Sequence, residues 1–172
     1  MCMSEQSSAR GGWQADRTTF QRVYDLVVGT TSAAPAASYA ERADCSETGA
    51  RQALEQLTEM GIAERTEGRP AQYRRNPSYF RWKRVEDLAR DHSVSTLKER
   101  VDDLLDRDRA YQDEYDAPDP DSVATDDGIE DHERLHERWD DLGEWRTIRR
   151  DIGVLKQAVQ RAESRRDDRA RA

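Results

Sequence analysis

Residues 38–61, SYAERADCSETGARQALEQLTEMG, decide how the chain folds. Two short amphipathic runs meet at Asp44-Cys45-Ser46, and the second run stops at Gly61. Ala43-Asp44-Cys45-Ser46 predicts a tight turn in which Ser46 caps a new helix, because a serine oxygen there accepts from an otherwise unpaired first-turn amide. Glu47 follows at the positive end of that helix, where a carboxylate is stabilised. Helical spacing turns Ala50, Ala53, Leu54 and Leu57 inward and leaves Glu47, Thr48, Arg51, Gln52 and Glu55 outward. Met60-Gly61 is a helix stop.

Upstream, Phe20, Val23, Leu26 and Val27 repeat at three- and four-residue spacing and predict a helix from Asp16, stopped by Gly29. Ser32-Ala-Ala-Pro35 is a start signal for a short second helix, inward through Ala37, Ala40 and Tyr39. Downstream, Ile62–Thr66 and Ala71–Arg75 read as two strands around the turn Glu67-Gly68-Arg69-Pro70. Two helices joined by a tight turn, the second polar on its outer face, make a helix-turn-helix; a hairpin after it is a wing.

From about Asp16 to Arg84 the chain resembles the winged helix-turn-helix of archaeal and bacterial transcription regulators of the MarR and ArsR type. The residues that carry the resemblance are SYAERADCSETGARQALEQLTEMGIAERTEGRPAQYRR, with a capped helix, the spacing L..L...G and a basic glycine-containing hairpin in the family's order. It spans roughly 40% of the chain. The resemblance implies binding to double-stranded DNA and leaves the operator unspecified.

The charge distribution agrees. Between Arg65 and Arg84 lie Arg65, Arg69, Arg74, Arg75, Arg81, Lys83 and Arg84 against Glu67 alone, a net +6 inside a chain of net −8. Arg51 and Gln52 are base readers by type, since arginine pairs bidentately with guanine and glutamine with adenine. The expected DNA contacts are therefore Ser46, Thr48, Arg51, Gln52, Arg65, Arg69, Arg74 and Arg75. The alternative is a set of solvated cations paired with nearby acids. Gly49, in the first turn of the third helix, costs up to about 1 kcal/mol relative to alanine. It allows close approach to a phosphate or close packing on the second helix.

The second half has another character. Residues 1–84 carry 12 bases and 10 acids, whereas residues 85–172 carry 16 bases and 26 acids, so two halves with different partners are expected. Ser78 to about Arg90 reads as a helix offering Tyr79, Phe80, Trp82, Val85 and Leu88 for burial. Ser93–Tyr115 carries Leu97, Val101, Leu104, Leu105, Tyr111 and Tyr115 along one stripe, and the Pro/Asp/Gly-rich run from Ala117 to Gly128 breaks it.

A last helix from about Ile129 to Arg165 shows Leu135, Trp139, Leu142, Trp145, Ile148, Ile152, Leu155, Val159 and Ala162, and from Trp145 onward the spacing is that of a coiled-coil seam. A stripe this narrow needs a partner helix, either the preceding one folded back or the same helix of another subunit. Leu142, Trp145, Ile148, Ile152, Leu155 and Val159 are the expected dimerisation residues. The fold class is mainly α with a small β-hairpin wing, followed by long helices in a coiled coil or helical hairpin. The organisation is a disordered tail at 1–15, a winged domain at 16–84, connecting helices at 85–117, an acidic linker at 118–128, a dimerisation helix at 129–166 and a charged tail at 167–172.

Composition bounds the function. Hydrophobic residues make up 35% of the chain and mean hydropathy is −1.09, which supports a modest core and much solvated helix. No apolar run approaches membrane-spanning length and the N-terminus lacks a signal-peptide core, so a cytoplasmic protein is expected. Lysine occurs only at 83, 98 and 156 and aspartate outnumbers glutamate, a composition that resembles proteins of salt-loving archaea. Cys2 and Cys45 form no disulfide framework, and Cys45 suits a small apolar position in the turn better than a redox switch. His132 and His136 lie four apart without the cysteines or dedicated acids of a metal site and read as surface residues. No nucleophile elbow or phosphate loop is present, and no small-molecule effector or cofactor is expected. The sequence thus reads as a non-enzymatic, homodimeric, DNA-binding transcription regulator. The alternative is a protein-interaction adaptor that uses the winged fold and an acidic coiled coil without DNA.

Overall fold

In the computed structural model, which describes residues 17–123 and 132–171, Thr18 opens the first helix, α1 (Thr19–Gly29). The Thr18 hydroxyl accepts from the Gln21 amide while the Gln21 side chain accepts from the Thr18 amide, a reciprocal cap. Val23 and Val27 are fully buried, with Phe20 and Leu26 packed partly against the same core. Gly29 is the last helical residue and Thr30 leaves in extended conformation. Asp16 and the tail before it lie outside the described residues.

The second helix does not begin at Ser32. Ala34-Pro35 instead forms a two-residue strand, β1, and Pro35 is the extended N-cap of α2 (Ala36–Ala43). Proline fixes φ, lacks an amide proton and holds its predecessor extended, so the chain turns helical only after it. The phase therefore differs from expectation: Ala36, Tyr39, Ala40 and Ala43 are buried, whereas Ala37 is exposed. At the turn, Asp44 is left-handed (φ 50°), and the Asp44 and Cys45 amides return to the carbonyls of Glu41 and Ala40. The Ser46 hydroxyl accepts from the Gly49 amide at 3.1 Å and starts α3 (Glu47–Glu59). Ala50, Ala53, Leu54 and Leu57 face the core as predicted. A Cβ at Gly49 would meet the capping Ser46 Oγ tightly at 3.2 Å and Thr19 Cγ2 of α1 at an ordinary 3.6 Å, so the neighbours of this glycine are the cap and α1 rather than α2.

Gly61 reverses the chain with φ 72°, a conformation that a side chain would strain. Strands β2 (Ala63–Thr66) and β3 (Gln72–Arg75) follow, and β3 lies between β1 and β2 in an antiparallel sheet. The buried Tyr39 hydroxyl donates to the Tyr73 carbonyl at 3.1 Å and ties α2 to this sheet. Asn76 donates to the Gly61 carbonyl at 2.8 Å and accepts from the Ser78 amide at 3.0 Å, opening α4 (Pro77–Asp91). The chain divides into two compact units between Phe80 and Arg81, inside α4.

The second unit comprises the rest of α4 with α5 (Val94–Tyr115) and α6 (His132–Arg171). Helices α5 and α6 run antiparallel: Lys98 pairs with Glu163 at 2.8 Å near one end, and the Tyr115 hydroxyl donates to Asp141 at 2.7 Å near the other. Val85, Ala89, Leu97, Val101, Leu155, Ala158 and Ala162 share one core. Leu142, Trp145, Ile148, Ile152, Leu155 and Val159 are all buried within this single chain. The preceding helix folded back, one of the two partners the stripe allowed, is present, and these six residues are buried without a second subunit. Trp82, expected in a core, is 57% exposed, although helical spacing sets it on the row of Val85 and Ala89, which are buried.

The predicted linker is partly structural. Ala117 and Val123 are buried with Leu142 and Trp145, and Arg149 donates to the Pro118 carbonyl at 2.7 Å. Residues 124–131 lie outside the described residues. Trp145, fully buried, stacks with Tyr111 and Tyr115 and donates its indole N–H to the buried Asp108 carboxylate at 2.7 Å. Gln112 donates to the other oxygen at 2.6 Å. Burial, with the Asp141 and Glu144 carboxylates alongside, raises the pKa of both tyrosines above the ordinary phenol value and favours their protonated form. Asp108→Ala strands two donors and should cost the helical unit about 1–3 kcal/mol, read as a lowered unfolding midpoint in denaturant. An unchanged midpoint would show that water serves those donors equally well.

The chain is mainly helical with one small three-stranded antiparallel sheet. Among the described residues no helix is long and apolar enough to cross a membrane.

Candidate nucleic-acid interface

The outward face of α3 and the β2–β3 hairpin form the walls of a groove of about 710 Å³. From α3 come Glu47, Arg51 and Glu55; from the hairpin come Arg65 and Arg69; Pro35, Ala37 and Tyr73 are among the other lining residues. The local causes are those already described. The Ser46 cap sets where α3 begins, and Leu54 and Leu57 anchor its back, so its polar row faces away from the core. Tyr73 is buried and paired with Arg65 across the ladder, and paired residues share a face, which puts Arg65 on the α3 side of the hairpin.

The eight expected DNA contacts separate accordingly. Arg51, Arg65 and Arg69 come together at the groove. Thr48 and Gln52 are exposed on α3, and Ser46 is occupied as its cap. Arg74 points elsewhere: strand alternation places it with its ladder partner Glu64 on the opposite face, where the two form an ion pair at 2.9 Å. Arg75 reaches the Val28 carbonyl at 3.5 Å and lies over the Phe80 ring. Arg81, Lys83 and Arg84 belong to the second unit. Within the first unit the basic residues thus form no single surface, because adjacency along a strand does not mean a shared face.

Electrostatics distinguish the cations that remain. Arg51 Nη2 is 2.5 Å from Glu47 Oε1, one helical turn away. Arg65 and Arg69 have no carboxylate partner among the described residues. The outward side of α3 carries Glu47, Glu55 and Glu59 against Arg51 alone. Behind the groove, burial pushes the Tyr39 phenol up, with Arg42 opposing. Glu47, Glu55 and Ala37 were not foreseen as site residues. The sequence did show the two glutamates as outward positions, and a row at four-residue spacing was the signal available for them.

Among the described residues no group of three or more histidine, cysteine or acidic side chains could hold a metal ion, and the side chain of His132 lies outside them. Cys45 is half-buried against the core of the first unit.

The family model described as "Family of unknown function (DUF7342)" matches residues 17–163. The chain belongs to this family. The matched range takes in the α3–hairpin groove and the α5–α6 pairing alike, from one residue before the Thr18 cap to one residue after the buried Ala162. No curated protein and no solved structure matches the chain.

Proposed function

We propose that this protein is a sequence-specific transcription regulator that binds double-stranded DNA through a winged helix-turn-helix made of α2, α3 and the β2–β3 hairpin. The observation that carries this reading is the groove that gathers Arg51, Arg65 and Arg69. In this arrangement α3 enters the major groove and the hairpin tracks the backbone or the minor groove. Arg65 and Arg69, unneutralised by neighbouring acids, meet phosphates and release counterions. Arg51 and Gln52 project from the early turns of α3, where side chains reach base edges.

The Asp-rich, Lys-poor composition fits a salt-rich cytoplasm. There the screening length falls to about 3 Å at 1 M, so direct contact and base readout carry more of the affinity than long-range attraction. The proposal includes a homodimer, since paired copies read two half-sites, but on a surface other than the buried stripe. Light scattering of the full chain decides that point, because a mass near 19.8 kDa removes the dimer.

A binding titration across salt concentrations tests the core of the proposal. Replacing both Arg65 and Arg69 with alanine should weaken cognate and scrambled DNA to a similar degree and lower the salt slope by about two. Arg51→Ala should instead cost about 1–3 kcal/mol on the cognate site and flatten its preference. A second reading, the adaptor, draws support from the acidic excess on the outer side of α3. Variants that match the parent on every DNA would move the function to that reading.

A further inference from the structure

Glu47, Arg51 and Glu55 fall at four-residue spacing on α3 and all line the groove. Glu47 already holds Arg51, its Oε1 2.5 Å from Arg51 Nη2. Glu55, on the opposite side of Arg51, has no hydrogen bond or ion pair among the described residues. A carboxylate without a partner is repelled by the phosphates that flank a major groove, unless a base edge offers it a donor. Guanine presents N7 and O6 and thymine presents O4, all acceptors. Donors come from the exocyclic amines of cytosine and adenine, and adenine sets its N7 acceptor beside its amine, which opposes a carboxylate.

Resting on the DNA-binding reading, we infer that Glu55 is a specificity-determining residue, accepting from the N4 amine of a cytosine near a guanine read by Arg51, and that Glu47 positions Arg51. Four residues of helix advance about 6 Å and each base step about 3.4 Å, so the two contacts lie roughly two base steps apart. Glu47 takes one side of the guanidinium and leaves the rest of the fork to face guanine N7 and O6. The acidic face of α3 is then a filter: it opposes DNA in general and admits sites that offer an amine where Glu55 sits.

The experiment is selection from a randomised duplex pool with the full-length parent, Glu55→Gln and Glu59→Gln. Glu55 and Glu59 are both exposed, so neither substitution disturbs the core, and Glu59 lies outside the groove lining. The parent should enrich guanine with cytosine about two steps away. Glu55→Gln should exchange that cytosine for adenine, which glutamine pairs with bidentately, by at least about fivefold, leaving the guanine in place. Glu59→Gln should select the parent's motif. If Glu55→Gln retains the parent's cytosine, or if Glu59→Gln shifts the motif equally, Glu55 reads no base and the inference falls while DNA binding stands. If the parent enriches no sequence at any salt concentration, the DNA-binding reading falls as well.

Discussion

Leu155→Asp should unfold the helices of the second unit and leave the first unit folded. Leu155 is buried among Val85, Leu97, Val101 and Ala158, on the line where α5 covers α6. An aspartate there loses the leucine's apolar burial, at about 2–5 kcal/mol for truncation alone, and must also desolvate or protonate its carboxyl group. Domain stabilities of about 5–15 kcal/mol leave little after such a loss. The first unit has its own core around Val23, Tyr39, Leu54 and Leu57, and no residue of that core is altered. Circular dichroism should therefore show a large loss of helix at 25 °C, with a residual cooperative transition from the first unit. A variant that keeps full helix content while its mass falls from dimer to monomer would restore the stripe to a role between subunits.

Leu54→Ala is the counterpart in the first unit. Leu54 is fully buried on the back of the helix whose front carries Arg51 and Glu55. Removing its side chain should cost about 2–5 kcal/mol, the upper end applying where the surroundings cannot close the cavity. Tyr39, held by its hydrogen bond to the Tyr73 carbonyl, cannot easily move into the gap. Urea denaturation should show a lower midpoint with unchanged slope. DNA affinity should fall only to the extent that the unit is unfolded under the assay conditions, which separates this variant from Arg51→Ala. A stability change under about 1 kcal/mol would mean that α3 is anchored elsewhere.

Those two variants mark what the sequence made legible. The core face of α3 was readable because its period is 3.6 and a serine cap fixed its start. The stripe on α6 was equally readable, but a stripe records that something must cover it and not which helix does. Ala37 was misassigned by one residue, since Pro35 closes a two-residue strand that carries no periodicity of its own. In the groove, Arg51 followed from helical phase, and Arg65 and Arg69 from the hairpin. Arg74 was lost because a run of basic letters hides strand alternation, and Arg75 because its side chain turns to the Val28 carbonyl and the Phe80 ring. Trp82 was misplaced because helical spacing puts it on the face of Val85 and Ala89 but does not show how far along the helix the covering core extends.

Asp108 gives the α5–α6 pairing an index mark. An apolar seam of repeating heptads can slide by seven residues, roughly 10 Å of rise, and still meet leucine with valine or isoleucine. A carboxylate bound to one indole cannot follow: after such a slip the Trp145 N–H loses its acceptor, and a slip towards Ile152 sets Asp108 against an alkyl group. The two helices are thereby held to a single alignment, as a key admits one position in a lock, while the solvated pairs along the rim are exchangeable.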